Sequence, residues 1–527
     1  MTSADLIKKS ESHGAKLTQV ELNGYTTELS PVSRLRQSIP QVCAVSAKNL
    51  LLITFGSTLG FPTILLPALQ KAVPDVPVTL DDVTWISSIN LFAVPLGCLV
   101  SGPVSQYVGR KRTMLIANIP FIAAWLILHY ATTSAMLFVA LALTGLTGGV
   151  IEGPVLTYVA EVTQPHLRGL LSATSTMSII LGVFTQLLAG SLASWRTVTL
   201  INLAFPLLCA TALMLVPESP YWLAGKGRMK DAERALCFLR GWTTSLHVRE
   251  ELRTITTIVQ QPADQRNVEG SKMEKFWEPY FRRSVAVPFL LVTVAFFVAA
   301  FGGSATLQTY AVFIFDKMNA PVEKYTAAVY LGVAELIGTA TCVVAIHFTG
   351  KRSLNFVSIS GTGLCFFCSA IYAYLVSYDL LDTDAYTWLP MTLLIGSAFL
   401  SHTGIRILAW ILAGEVFPVQ VRAGATGAAA SIGYVFTSIV NKTFLYMVNG
   451  IGISGTFLFY AAMNLAGGIV LFIILPETEG RTLREIEEHY AGVCNLRDKP
   501  KKEEIPFKEK WAVTNPTIVQ DDVESKL

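Results

Sequence analysis

Gly109-Arg110-Lys111-Arg112, Glu161 with Arg168-Gly169, and Pro217-Glu218-Ser219 follow one another in the first half of this chain. They return in the same order, at similar separations, as Gly350-Lys351-Arg352, Glu415 with Arg422, and Pro476-Glu477-Thr478. Three motifs repeated in one order mark two homologous halves of a single protein. Composition says what surrounds it. The mean hydropathy is +0.50, with 52% hydrophobic and only 15% charged residues, whereas a soluble domain carries roughly 25% charged residues. Such a chain requires lipid around it. A net charge of +3 is too small, and too concentrated in loops, to point to nucleic acid.

Long apolar runs at 44–67, 84–105, 113–133, 136–160, 170–191, 197–216, 285–315, 325–348, 354–378, 387–412, 425–448 and 453–475 each approach the ~20 residues that a spanning helix needs. The expected fold is therefore an all-α membrane protein of about twelve transmembrane helices in two six-helix halves. The expected divisions are an N-terminal tail (1–43), the first half (44–225), a linker (226–283), the second half (284–476) and a C-terminal segment (477–527). Within the linker, Ala232, Ala235, Leu236 and Leu239 recur among charges at helical spacing, which predicts short amphipathic helices. An even number of spans places both termini on one side. Arg110, Lys111, Arg112, Lys351, Arg352 and Arg422 lie on that side, and Asp75, Asp81, Asp82, Asp379, Asp382 and Asp384 lie on the other. The positive-inside rule makes the termini cytoplasmic. The first forty-odd residues contain no apolar signal core, so the first span is expected to serve as the insertion signal.

No nucleophile, metal or phosphate-loop constellation stands out, so no enzyme activity, metal or cofactor is expected. All eight cysteines fall in spans or on the cytoplasmic side, which argues against a disulfide framework.

The motifs are similar to those of the sugar porters of the major facilitator superfamily, over nearly the whole chain apart from the tails. Pro217-Glu218-Ser219-Pro220-Tyr221-Trp222-Leu223 resembles the family's P-E-S-P-R-[WF]-L, and Pro476-Glu477-Thr478-Glu479-Gly480-Arg481-Thr482-Leu483 its P-E-T-K-G-[RK]-[ST]-L. Tyr158, Glu161, Arg168 and Gly169 resemble Y-x-x-E-x(6)-R-G. Within the family, Gly60-Phe61-Pro62-Thr63, Thr176 and Lys442-Thr443-Phe444 are similar to the facilitated trehalose transporter branch. The resemblance implies a transmembrane sugar transporter, a facilitative uniporter of trehalose or a related sugar working by alternating access. It also implies a plasma-membrane address, with a small polar solute and the lipid bilayer as partners. Oligomeric state is left open.

Glu161 and Arg168 are seven residues apart, about 10.5 Å along a helix axis, too far to pair directly. Their partners must come from other helices. Arg110, Glu161, Arg168, Glu218, Glu415, Arg422 and Glu477 are the expected cytoplasmic gate, a latch whose exposed pairs contribute up to about 1 kcal/mol each. The plainer alternative is a set of loop charges that cap helix ends. Tyr221, Gln106 and His347 stand where the family carries an arginine and two acids.

A sugar site needs hydrogen-bonding side chains and an aromatic face. Trp410, five residues before Glu415, matches the tryptophan of the family's G-P-x-x-P-W-x-x-x-x-E and can supply that face. The family's Q-Q-x-S-G-x-N corresponds here to Ala299–Ala305, ahead of Tyr310, so polar side chains are missing. Thr176 and His402 occupy two further pocket positions, and Glu335 and Arg406 introduce charge. With Glu152 and Lys442, these are ionisable groups at membrane depth, costing roughly 2.5–3.5 kcal/mol each when charged. Glu335 and Arg406 either bind substrate, form a pair that changes through the transport cycle, or form a static pair. The expected substrate-binding set is Trp410, Glu335, Thr176, His402, Arg406 and Tyr310. A proton-linked carrier of another polar or charged solute, and a low-flux nutrient sensor with the carrier fold, remain as alternatives.

Overall fold

A computed structural model of the protein describes residues 18–22, 25–29, 33–70, 75–264, 282–378, 386–418, 421–479 and 483–492. An antiparallel hairpin, β1 (Thr18–Leu22) with β2 (Tyr25–Leu29), precedes the helices and pairs Thr18 with Leu29 and Leu22 with Tyr25. The first half comprises α1 (Arg34–Leu69), α2 (Leu80–Ile86), α3 (Ile89–Val108), α4 (Arg110–His129), α5 (Ser134–Val162), α6 (Pro165–Leu192), α7 (Trp195–Asn202) and α8 (Ala204–Leu215). α9 (Pro220–Gly225) closes the expected first half, and α10 (Met229–Leu239) and α11 (Ser245–Asp264) lie in the linker. The second half comprises α12 (Arg283–Phe301), α13 (Ser304–Thr309), α14 (Ala311–Lys317), α15 (Lys324–Thr349), α16 (Lys351–Ser377), α17 (Trp388–Thr403), α18 (Ile405–Glu415) and α19 (Arg422–Ile474), followed by α20 (Leu483–Ala491).

Eleven helical stretches among the described residues are long and apolar enough to cross a membrane. The last of them counts twice. At 53 residues α19 would run about 80 Å if straight, far beyond a hydrocarbon core of about 30 Å. Gly452 divides it with φ 72° and ψ 171°, and the two arms are the eleventh and twelfth spans. The first span begins earlier than its apolar run, because Ser33 accepts from Arg36 N at 3.3 Å and starts α1 ten residues ahead of 44. Leu99, Ile119, Leu290 and Leu465 stand more than 60% exposed on the outer faces of spans, where only lipid covers them.

Two spans of the second half are broken. In the seventh, Gly303 has φ +86°, and a Cβ there would lie 2.6 Å from the Tyr460 ring, so a residue without one is required. The carbonyl released by this break, that of Gly302, accepts from Asn464 Nδ2 at 2.9 Å. In the tenth span, Gly404 separates α17 from α18, and Ser358 Oγ accepts from Ile405 N at 3.0 Å while donating to Leu400 O at 2.7 Å. Irregular backbone at membrane depth persists only where such partners exist.

The halves meet along two seams, α3 against α19 and α6 against α15. Trp222 and Leu223 of α9 bury against Ala232, Leu236, Val248 and Ile255 of the linker. Arg240 ties this unit to the first half: its Nη1 donates to Val162 O at 3.2 Å, and its Nε donates to Glu251 at 2.9 Å.

Candidate functional site

The repeated motifs build the same device twice. Gly109 (φ 113°, ψ 158°) and Gly350 (φ 77°, ψ 160°) precede α4 and α16. A Cβ at either would fall 2.5 Å from Glu218 Oε2 or 2.6 Å from Glu477 Oε2. The glycines thus leave room for a carboxylate over the helix N-terminus, where unpaired N–H groups and the helix dipole favour negative charge. Glu218 accepts from Lys111 N at 2.8 Å and Arg112 N at 3.3 Å, and Glu477 from Lys351 N at 3.1 Å and Arg352 N at 2.9 Å. Arg110 donates through Nε and Nη2 to both oxygens of Glu161, at 3.1 and 3.0 Å. Lys351 Nζ donates to both oxygens of Glu415, at 2.9 and 2.8 Å, and lies 3.0 Å from Glu479. Ser219 Oγ donates to Glu161, and Thr478 Oγ1 to Glu415 at 3.3 Å. Arg168 and Arg422 each return to the carbonyl five residues back, Thr163 O at 3.4 Å and Phe417 O at 3.0 Å. Burial holds the Arg422 guanidinium below its ordinary range, opposed by the carboxylates of Glu487 and Glu415.

Glu161 and Glu415 do take partners from other helices, those of the same half, whereas Arg168 and Arg422 turn back to carbonyls of the segments just before them. In this conformation the clusters brace each half and do not latch one half to the other. Most of the described bonds between halves gather at the opposite end, with one deeper in, where Thr63 Oγ1 donates to Gln308 O at 2.9 Å. Ser438 Oγ donates to Ser88 O at 3.1 Å and Asn441 Nδ2 to Ser87 O at 3.4 Å. Lys442 Nζ donates to Asp81 Oδ1 and Thr84 Oγ1, both at 3.1 Å, and lies 4.0 Å from the Trp85 ring centre. Tyr446 OH donates to the same Asp81 oxygen at 2.7 Å. Lys442 is therefore not the deep charge its apolar neighbours suggested. Its stem carries the ammonium out to the Asp81 end, where it closes a seam. Tyr310 belongs with this seal: its OH donates to Asn441 O at 3.1 Å, and its ring lies 4.6 Å from that of Phe444.

At mid-span the remaining candidates converge. His402, Arg406 and Trp410 are spaced i, i+4, i+8 across the Gly404 break. Trp410 packs against Phe296 and Tyr434, with ring centres 5.1 and 5.6 Å apart. Glu335, 1% exposed, accepts from Gln308 Nε2 at 2.7 Å, and Gln308 Oε1 accepts from Arg406 Nη2 at 3.4 Å. The expected Glu335–Arg406 pair is thus relayed through an amide. His402 Nδ1 lies 3.0 Å from Ala398 O, while its buried Nε2 has no protein partner. Thr176 sits on α6 beside Ser175, whose Oγ meets Lys48 Nζ. Glu152, Thr176, Arg406 and Trp410 all keep partial exposure. Charged side chains at this depth generally face the bundle interior or a water-filled cavity and not lipid.

Two residues of this region escape sequence reasoning. Gln308 lies beyond the stretch matched to the family's amides, although a lone amide just after a Gly-Gly break is a legible signal. Lys48 reads as the membrane-edge residue of a span starting at 44, but it is fully buried within the longer α1.

Residues 51–490 match the family described as Sugar (and other) transporter. The chain is 29% identical over 464 residues to the facilitated trehalose transporter Tret1 of Apis mellifera ligustica, covering 87% of this chain and 90% of that one. It is 26% identical over 447 residues to Tret1 of Bombyx mori, covering 85% and 86%. Among solved structures it resembles the xylose transporter XylE from E. coli in a partially occluded inward-open conformation. The TM-score is 0.68 at 18% identity, over 84% of this chain and 99% of that one, a likeness of fold.

Proposed function

Because this chain belongs to the sugar transporter family and is a multi-pass carrier of the major facilitator fold, we propose that it moves trehalose or a related sugar by facilitative uniport. The two halves rock about the mid-span site, and the conformation described is the one closed at the Asp81 end. The observation that carries this reading is the half-exposed Trp410 beside Arg406, with Gln308 and the unpartnered His402 Nε2 close by. Such a set offers an aromatic face for the apolar side of a pyranose, with donors and acceptors for its hydroxyls. The similarity to facilitated trehalose transporters favours the disaccharide. Uniport is favoured because α1 contains no acid from Arg34 to Leu69. The motif clusters act as rigid braces of the gate, and that end, with both termini, faces the cytoplasm of a plasma-membrane protein. Glu335, buried and held by one neutral amide, supports a second reading in which it carries a coupled proton.

Purified protein in liposomes separates the two. Saturable exchange of labelled trehalose, unchanged by a pH gradient and lost in Trp410→Ala without loss of folded protein, is the expected result. Uphill uptake on a proton gradient would replace uniport with the second reading. Exchange of glucose or a polyol but not trehalose would overturn the cargo, and binding without flux would favour a sensor.

A further inference from the structure

Four described charges lie at membrane depth: Lys48 and Glu152 in the first half, Arg406 and Glu335 in the second. Each has an opposite charge within reach inside its own half. Lys48 and Glu152 are electrostatic neighbours, and Arg406 reaches Glu335 through Gln308. Glu152 precedes Glu161 by nine positions and Arg406 precedes Glu415 by nine. Those acids are the equivalent members of the repeat, so Glu152 and Arg406 stand at the same depth, about 13.5 Å in from the motif clusters. Elsewhere the repeat preserves charge, with Arg110 matching Lys351, Glu161 matching Glu415 and Glu218 matching Glu477. Here it inverts it. Like charges at equivalent depths repel when two halves approach, and opposite charges attract. Both side chains keep partial exposure, and Tyr434 is within electrostatic reach of each. No ion pair joins Glu152 to Arg406 in this conformation.

We propose that Glu152 and Arg406 are the two sides of a charge tie between the halves, open here and made when the motif ends come together. Lys48, Glu152, Arg406 and Glu335 then form one row of alternating sign across the molecule. Expulsion of water on closure strengthens such a row, because the same charges attract more in a drier medium. The inference rests on the carrier reading only in requiring that the halves rock.

Hydrogen–deuterium exchange on the purified full chain, without any sugar, tests it. Glu152→Gln and Arg406→Gln should each raise uptake at least twofold over residues 165–175 and 422–432 and lower it over 80–90. The reversals Glu152→Arg and Arg406→Glu should do so more strongly. The double reversal should return to the parent pattern, which a purely structural role for residues that never meet would not produce. Additive reversals, or unchanged uptake in both glutamine variants, would overturn the tie. Should the reversals fail to fold, the glutamine variants decide alone. Rescue by the double reversal together with no flux of any sugar would leave the tie standing and remove the cargo assignment.

Discussion

Gln308→Leu tests the central relay most directly. Gln308 is 7% exposed and donates to the buried Glu335 at 2.7 Å, while its contact with Arg406 is at the 3.4 Å limit of a hydrogen bond. A hydrogen bond to a charged group contributes about 1.5–3 kcal/mol, and the longer contact adds little. Leucine preserves bulk and leaves the Glu335 carboxylate without its amide donor, so unfolding in mixed detergent–SDS micelles should show a loss of about 2 kcal/mol. Glu335→Leu introduces a different fault, an Arg406 without its counter-ion. In the double variant the lost Gln308–Glu335 bond is counted once, and a coupling energy of about 1.5–3 kcal/mol should appear in the cycle. A coupling within about 0.5 kcal/mol, the usual error of additivity, would refute the relay and return Glu335 and Arg406 to independent roles.

Lys351→Ala should cost about 1–3 kcal/mol by removing the ammonium shared by Glu415 and Glu479. Lys351→Arg should restore most of it, since arginine holds the equivalent acid in the first half; thermal unfolding in detergent reads both. Gly303→Ala must hold φ +86° and push on the Tyr460 ring, and the left-handed conformation alone costs roughly 1–2 kcal/mol. Loss of monodisperse protein is expected, whereas Gly414→Ala, whose Cβ meets nothing within 4 Å, should be neutral or slightly stabilising. Asp81→Asn weakens the bonds from Lys442 and Tyr446, and should raise deuterium uptake over residues 80–90 while leaving the motif clusters protected.

The architecture was readable because lipid imposes a length on every span and duplication doubles each signal. Twelve apolar runs and three paired motifs already contain the two halves. The partners of Glu161 and Glu415 could be placed on other helices by distance alone, but sequence spacing does not say whether those helices belong to the same half. Charge in an apolar run correctly drew attention to Glu335 and Arg406. The same rule misplaced Lys442, because a long stem near a helix end can carry its ammonium out of the layer. It also passed over Lys48, whose depth depends on where α1 starts, and that start is set by a serine cap outside the apolar run. Gln308 was hidden for another reason. It lies beyond the stretch Ala299–Ala305 that corresponds to the family's amide motif, after the break at Gly303.

The closure of each motif cluster inside its own half has a consequence for how the protein is made. By the time the ribosome reaches the second half, Arg110, Glu161, Glu218 and Ser219 have all been synthesised, and every bond among them can form. Chains emerge at about 5–20 residues per second and domains fold as units, so the first six spans can settle in the bilayer before their counterparts exist. What must wait is the seam at Asp81, which needs Ser438, Asn441, Lys442 and Tyr446 from the eleventh span. Assembly is then the docking of two finished pieces, and a chain cut between them and supplied as two messages should still produce the whole.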